Sequence, residues 1–469
     1  MFCTKFCGVS TKTRRAVGLG ASLSALIFII LYANLLQTLP YLYGLVSKPV
    51  ALPRYRDPTY GKWISSPRGV ADANLWNKFH TCHPDFSPTA GGSVGRNKEK
   101  EQKIRSRRVA SWEWILEDGK PPREWDTEAF IERSLKSRGG FVFIGDSVAG
   151  QMMSDLQTLL GQHHGDHPRQ VTEGIELEDN NIFVSASWLT LSPKNPLYDR
   201  LLAKPSLTEV PLARFSEPIF TMYRSDNLLT EDELDNILRT VGMTEPLNRN
   251  HHRGKGDWRQ GLRNLSMGAS WPGELDTIVV VNTGPHYSPL HMAPANDDQL
   301  IKSYEIVIKK VYDFLSAPPV PMLAFFRATS PAHQNCGAYS QPVASNSSAA
   351  ENPAPEWHNF GWHLFPEFNR IAKKFFADQN SKTRYLDIWP LSVQRPDAHT
   401  GWHKDQFDCL HVGALFVLRL IFNSIKNSGV NPPLQRGGYG IYGIQFKKRA
   451  CDSVIVRDFI APSGERSVP

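Results

Sequence analysis

Two short groups of residues, far apart in the chain, have the composition of a nucleophile and its base. Gly145-Asp-Ser147 follows the apolar run Phe141-Val-Phe-Ile144 and opens a stretch with helical spacing through Met152, Leu156 and Leu159. Glycine permits a tight turn there. A serine at the start of a helix meets backbone N–H groups that lack intrahelical partners and can stabilise an oxyanion. The bland alternative is a helix cap formed by Asp146 or Ser147. Serine is a weak nucleophile until a base takes its proton and a third group orients that base. Asp408-Cys-Leu-His411 supplies both, the carboxylate holding one imidazole nitrogen while the other faces Ser147. Asp397-Ala-His399 and the pair His403 and Asp405 are local rivals. The 408/411 pair is preferred because an apolar stretch read as a helix starts at Gly413 and would anchor it. The G-x-S-x-G elbow of α/β-hydrolases is disfavoured, since Ala149 fills its last position.

The elements needed to position these groups are legible as alternating short apolar runs and longer amphipathic ones. Strands are expected at Phe141-Val-Phe-Ile144, Thr277-Ile-Val-Val-Val281, Pro321–Phe326 and 384–388. Helices are expected at 298–316, with Leu300, Tyr304, Val307, Ile308, Val311 and Leu315 on one face, and at 365–378 and 413–427. Strands separated by helices predict an α/β fold with a mostly parallel sheet covered on both faces. Reactive residues gather at the carboxyl ends of such strands, which is where the polar clusters fall.

With Gly-Asp-Ser early and D-x-x-H late, the chain resembles the SGNH/GDSL hydrolase superfamily. It is most similar to the PC-esterase and trichome-birefringence-like group of polysaccharide O-acetyltransferases. The resemblance rests on ordered blocks across roughly residues 110–425. They are Trp112-Glu-Trp114, Phe141-Val-Phe-Ile-Gly-Asp-Ser147, Asp276-Thr-Ile-Val-Val-Val-Asn-Thr-Gly284, Phe325-Phe-Arg-Ala-Thr-Ser-Pro-Ala-His333 with Cys336, Leu391-Ser-Val-Gln-Arg-Pro-Asp-Ala-His399, and Asp408-Cys-Leu-His411.

The resemblance implies an SGNH-like three-layer sandwich. Ser147 is then the acylated residue, His411 the base and later the acid, and Asp408 its orienting group. Asn282 is the side-chain oxyanion donor beside the Ser147 amide. Asp146, Gly284, Arg327, Ser330 and His333 shape the site. A Cys336–Cys409 disulfide is implied too, which leaves Cys82 with Cys451. Three departures stand out, the first being that the cysteine-rich start of plant members is reduced to Cys82. The second SGNH block brings an oxyanion glycine, and 180–196, its expected place, holds none. Gly150-Gln151 stands where plant relatives carry Arg-Asn.

Targeting signals bound the setting. Lys5, Lys12, Arg14 and Arg15 precede an uncharged stretch whose core, 16–36, is long enough to span a bilayer. The basic residues lie before it, which predicts a type II anchor with the rest of the chain lumenal. The expected organisation is a cytosolic tail (1–15), signal anchor (16–36), stem and irregular region (37–111), catalytic domain (112–451) and C-terminal tail (452–469). Four cysteines and the sequons at Asn264 and Asn346 suit the lumen, and the Golgi or another secretory membrane is the expected site. The formal charge of +7 is partly that tail, and a second basic group spans Arg96–Arg108. This group reads as a solvated loop, with an acidic-glycan contact or processing at Arg105-Ser-Arg-Arg108 as sharper alternatives. A lumenal setting argues against nucleic-acid binding.

His163, His164, Asp166 and His167 read as a solvated loop, so no metal is expected, nor any tightly bound cofactor. Trp271, Trp357, Trp362 and Trp402 lie near polar loops, where some rings can stack on sugar faces. The expected activity is O-acetyl transfer to polysaccharide or glycoconjugate hydroxyls from an unidentified acetyl donor, with an acetyl-delivering membrane partner as one candidate source. The alternatives are an acetylesterase of the same fold and a non-catalytic glycan-binding protein.

Overall fold

The computed structural model describes residues 60–66, 100–101, 104–105, 107–119, 125–160, 173–177, 182–245, 257–268, 271, 273–344, 353–378, 381–403 and 406–412. All of them belong to one compact unit, 57–469. The expected anchor at 16–36, the helix at 413–427, the C-terminal tail, Cys82, Cys451, Asn346 and the histidine run at 163–167 lie outside the described residues. Among the described residues, no helix is long and apolar enough to cross a membrane.

The fold is α/β around a seven-stranded, mostly parallel sheet. Its strands are β3 (Phe141–Gly145), β4 (Glu173–Leu177), β5 (Ile182–Thr190), β6 (Pro218–Arg224), β7 (Thr277–Val281), β8 (Met322–Arg327) and β9 (Thr383–Leu386). They lie in the order β4-β5-β6-β3-β7-β8-β9, and β5 alone runs against the rest. Every residue of β3, β7 and β8 is buried. Successive side chains of a strand point to opposite faces, so both faces of the sheet centre are covered. This is why these strands read as unbroken apolar runs rather than alternating ones. Truncating a ring such as Phe143, packed edge-on against Phe220, would cost about 3–5 kcal/mol.

Helices connect the strands: α1 (Thr127–Leu135), α2 (Ser147–Leu159), α3 (Glu231–Thr240), α4 (Trp258–Gly268), α5 (Asp297–Ser316) and α6 (Phe365–Phe376). Capping boxes start α3, from Thr230 and Glu233, and α5, from Asn296 and Gln299. The α5 face expected from periodicity is the one that is buried. Asn264 sits on α4, half-buried, with its side chain accepting a bond from Gln260. That sequon therefore lies on a helix, not on the loop a glycan acceptor favours.

Packed structure begins before the boundary at 111 that composition suggested. β1 (Gly61–Ser65) pairs antiparallel with β2 (Trp112–Leu116), and Trp63 packs on Trp114 and donates to Leu391 O. Arg105 is buried and reaches the carbonyls of Cys336 and Pro396. Residues 107–110 are helical, and Val109 and Ala110 are buried. Where it is described, the basic segment is helical, with Arg105 buried and Arg107 and Arg108 exposed. The remaining strands, β10 (His399–His403) and β11 (Gln406–Val412), form a separate antiparallel hairpin.

Candidate active site

The site assembles at the carboxyl ends of β3, β6, β7 and β8, completed by the β10–β11 hairpin. At the end of β3 the chain turns through Gly145 into α2. A side chain at Gly145 would come within 2.4 Å of the carbonyl oxygen of Asn282, so only glycine fits this approach. The buried Asp146 takes the capping role, its Oδ1 accepting from Val148 N (2.9 Å) and Asn282 Nδ2 (3.2 Å). Capping by Asp146 leaves the Ser147 hydroxyl free for another partner.

That partner is His411. Ser147 Oγ lies 2.8 Å from His411 Nε2, and His411 Nδ1 lies 2.7 Å from Asp408 Oδ2. The hydroxyl donates to one ring nitrogen while the other donates to the carboxylate. Burial alone lowers the His411 pKa, but the charge and hydrogen bond of Asp408 outweigh it and leave the ring more basic than an ordinary histidine. Burial likewise opposes ionisation of Asp408, and His411 with two backbone N–H groups holds it well below the usual carboxylate range.

Asp408 and His411 lie within a β-strand, where residues three apart normally point to opposite faces. Pairing runs from Gly401–Asp408 to His399–Val412, so two steps along β10 are matched by four along β11. This bulge folds the strand back on itself. Asp408 Oδ1 accepts from the N–H groups of Leu410 and His411, and Oδ2 meets the His411 ring. Bulges re-aim side chains in this way.

Three contacts fix the hairpin. Cys336 and Cys409 form a disulfide with a Cα–Cα distance of 5.4 Å, as the resemblance implied. His333 N donates to Cys409 O (3.0 Å). The buried rings of His333 and His399 meet at 2.7 Å, with His333 Nε2 on Val393 O (2.9 Å) and His399 Nδ1 on the carbonyl of His411 (3.2 Å). Burial pushes His333 down to about 4 and His399 well below its ordinary value. The rival carboxylate Asp397 is taken up by a buried ion pair with Arg395. His399 thus braces the catalytic-type pair from behind.

The other expected residues divide between the site and its support. Asn282 follows β7, buried, with its amide on Asp146. Gly284 lies against Thr329, whose Oγ1 would sit 2.4 Å from an added Cβ. Arg327 is buried at the end of β8, pushed down to about 10 by burial with the Asp146 charge opposing. Ser330 is buried in the loop that follows. Among the described residues no group of histidine, cysteine and carboxylate side chains is arranged to hold a metal.

Sequence reasoning missed β6 and what it carries. Arg224 ends β6 in register with Gly145, and its Nε donates to Oδ1 of the buried Asp226. The strand was detectable in principle from Pro218-Ile-Phe-Thr-Met-Tyr-Arg224, an apolar run with β-branched and aromatic residues. β6 is the neighbour of β3 opposite β7, so its end flanks the nucleophile turn. Within 180–196, where the second SGNH block is expected, 182–190 form β5, which does not pair with β3.

No protein-family model matches the chain, and no curated protein matches it.

Proposed function

We propose that the protein is an SGNH-type serine acyltransferase that moves acetyl groups onto polysaccharide or glycoconjugate hydroxyls. The observation that carries this reading is the unbroken chain of hydrogen bonds from Ser147 Oγ through His411 to Asp408. A serine used only as a helix cap would face its own backbone, and here Asp146 fills that role.

In the proposed mechanism His411 Nε2 takes the hydroxyl proton as Ser147 Oγ bonds to the acyl carbon of the donor. Asp408 stabilises the imidazolium. The tetrahedral oxyanion is met by the Ser147 amide and Asn282. As it collapses, the bond to the donor's leaving group breaks and His411 returns the proton to that group. A sugar hydroxyl then repeats the sequence, losing its proton to His411 and releasing Ser147. Water in place of the sugar gives an acetylesterase. The disulfide beside Asp408 supports an oxidising, lumenal setting, and with it the type II secretory-membrane placement. The acetyl donor and any membrane partner that delivers it belong to the same reading.

The test is an assay of the full-length protein with an acetyl donor and candidate oligosaccharides, followed by mass spectrometry. Acetylated sugar that disappears in Ser147→Ala is the expected result. Free acetate alone would select the esterase. Unchanged acetylation by Ser147→Ala in this assay would reject acyl-enzyme chemistry at Ser147, and glycan acetylation in cells that does not respond to Ser147→Ala would favour the glycan-binding alternative.

A further inference from the structure

The oxyanion site as inferred from sequence is lopsided. Asn282 follows β7 on one side of β3, its amide on Asp146, and the expected donors include none from β6 on the other side. That side carries Arg224. Its position follows from the sheet, since β6 pairs with β3 residue for residue and Arg224 stands opposite Gly145. Its direction follows from the helix. Arg224 Nη1 lies 3.7 Å from where a Cβ on Gly150 would be. Ser147 and Gly150 are three residues apart on α2, and such positions share one helix face about 5–6 Å apart. The guanidinium therefore overlies the face that presents the nucleophile. Its charge also reaches His411, where it acts against protonation of the ring.

Arg224 is held but not used up. Asp226, fully buried, takes Nε and so fixes the plane of the guanidinium. The side chain is 27% exposed, and its two terminal nitrogens have no partner among the described residues. Gly150 matters to this arrangement because a longer side chain there would occupy the space that the fork uses.

We propose that Arg224 is a catalytic residue, its terminal guanidinium nitrogens donating hydrogen bonds to the carbonyl oxygen of the acyl group as that oxygen becomes negative. This rests on the acyl-enzyme reading above. It gives the oxyanion a charged donor on the β6 side of β3, whereas 180–196 supplies no oxyanion glycine. The bond-making is unchanged. The Ser147 Oγ–carbon bond forms, the carbonyl π electrons move onto oxygen, and Arg224 with Asn282 holds that charge until the leaving group departs with the His411 proton. Asp226 is a positioning residue, acting through Arg224.

The experiment is stopped-flow acylation of the full-length protein in detergent. It uses an uncharged aryl acetate and the same ester bearing a carboxylate. Arg224→Gln should slow acylation of both esters by about 10²–10³-fold with little change in KM, the loss expected for one oxyanion donor. Arg224→Lys keeps charge but not the fork and should fall in between. Gly150→Leu, which touches neither Arg224 nor the triad covalently, should slow acylation of both esters by displacing the fork. If Arg224→Gln fails to fold, Arg224→Lys and Gly150→Leu decide the matter. A loss confined to the carboxylate ester, or expressed in KM alone, would overturn the proposal in favour of a clamp for anionic substrates. Unchanged rates in these variants would reduce Arg224 to a counter-ion for Asp226. Ser147→Ala separates the two readings. If it acylates like the wild type, the acyl-enzyme reading has failed. If it is silent while the Arg224 and Gly150 variants are fast, only the Arg224 assignment has.

Discussion

The site is made from two regions held by different means. Ser147, Asn282 and Arg224 sit at the ends of adjacent central strands, and their backbone is fixed by a sheet covered on both faces. Asp408 and His411 sit on a two-stranded hairpin outside that sheet. A lone hairpin is at best marginally stable in water, so this half needs fastening, and a disulfide and a histidine pair provide it. The difference suggests that the nucleophile half is as stable as the core, whereas the base half can be loosened by itself.

Removing the nucleophile tests the rigid half most severely. Ser147→Ala should lower acyl transfer by about 10⁴-fold or more while leaving the thermal melt in place, because the half-buried hydroxyl bonds to His411 rather than capping α2. A large fall in melting temperature would mean that Ser147 is structural. In the hairpin half, Asp408→Asn should cost about 10³–10⁴-fold in kcat, with KM nearly constant. It should also loosen the bulge, which can be followed as faster amide exchange at Leu410 and His411.

The two halves should separate most clearly when the disulfide is lost. Removing a native disulfide costs about 2–5 kcal/mol. In the double variant Cys336→Ser with Cys409→Ser, amide exchange at 399–412 should rise well before exchange in β3 and β7. Uniform acceleration would show that the hairpin and sheet unfold as one unit.

The smallest effect is in pH. His411 must be neutral to act as base, and Asp408 leaves it more basic than ordinary. Activity should therefore rise with pH through a midpoint above about 6.5. In Asp408→Asn the raising influence is gone and burial remains, so the residual activity should have its midpoint at lower pH. For stability, a raised histidine pKa gives a contribution that is full below the unfolded value and lost as pH rises through the folded one. The depressed Asp408 contributes at neutral pH and loses its share as pH falls. An acid limb that stays in place in Asp408→Asn would break the assignment.

The parts of this arrangement visible in the sequence are those with local causes. β3, β7 and β8 were legible because burial on both faces makes them unbroken apolar runs. The α5 helix was legible because its buried face repeats at helical spacing. β6 is detectable as a strand from its β-branched and aromatic residues, but its place beside β3, which brings Arg224 to the site, is set by tertiary pairing. The hairpin was hidden for a different reason. At Asp408–His411 an i,i+3 pair suits a helical turn as well as a bulged strand, and the choice depends on pairing with a segment several residues upstream. Asp408 and His411 were readable as a pair, but not the backbone that brings them together. Likewise, the chemistry of Arg395 and His399 is not local, since it depends on burial against Trp63 and His333.

The histidine brace has a consequence in simple proton counting. Two neutral imidazoles own two N–H groups, yet His333 and His399 make three contacts that each need one: Val393 O, the bond between the rings, and the carbonyl of His411. Burial keeps both rings from taking a further proton at neutral pH. The chain of contacts is then always one hydrogen short, and its longest member, at 3.2 Å, is the one that reaches His411. The covalent link between Cys336 and Cys409 holds the same turn without needing a proton, so its grip on the base does not change with pH.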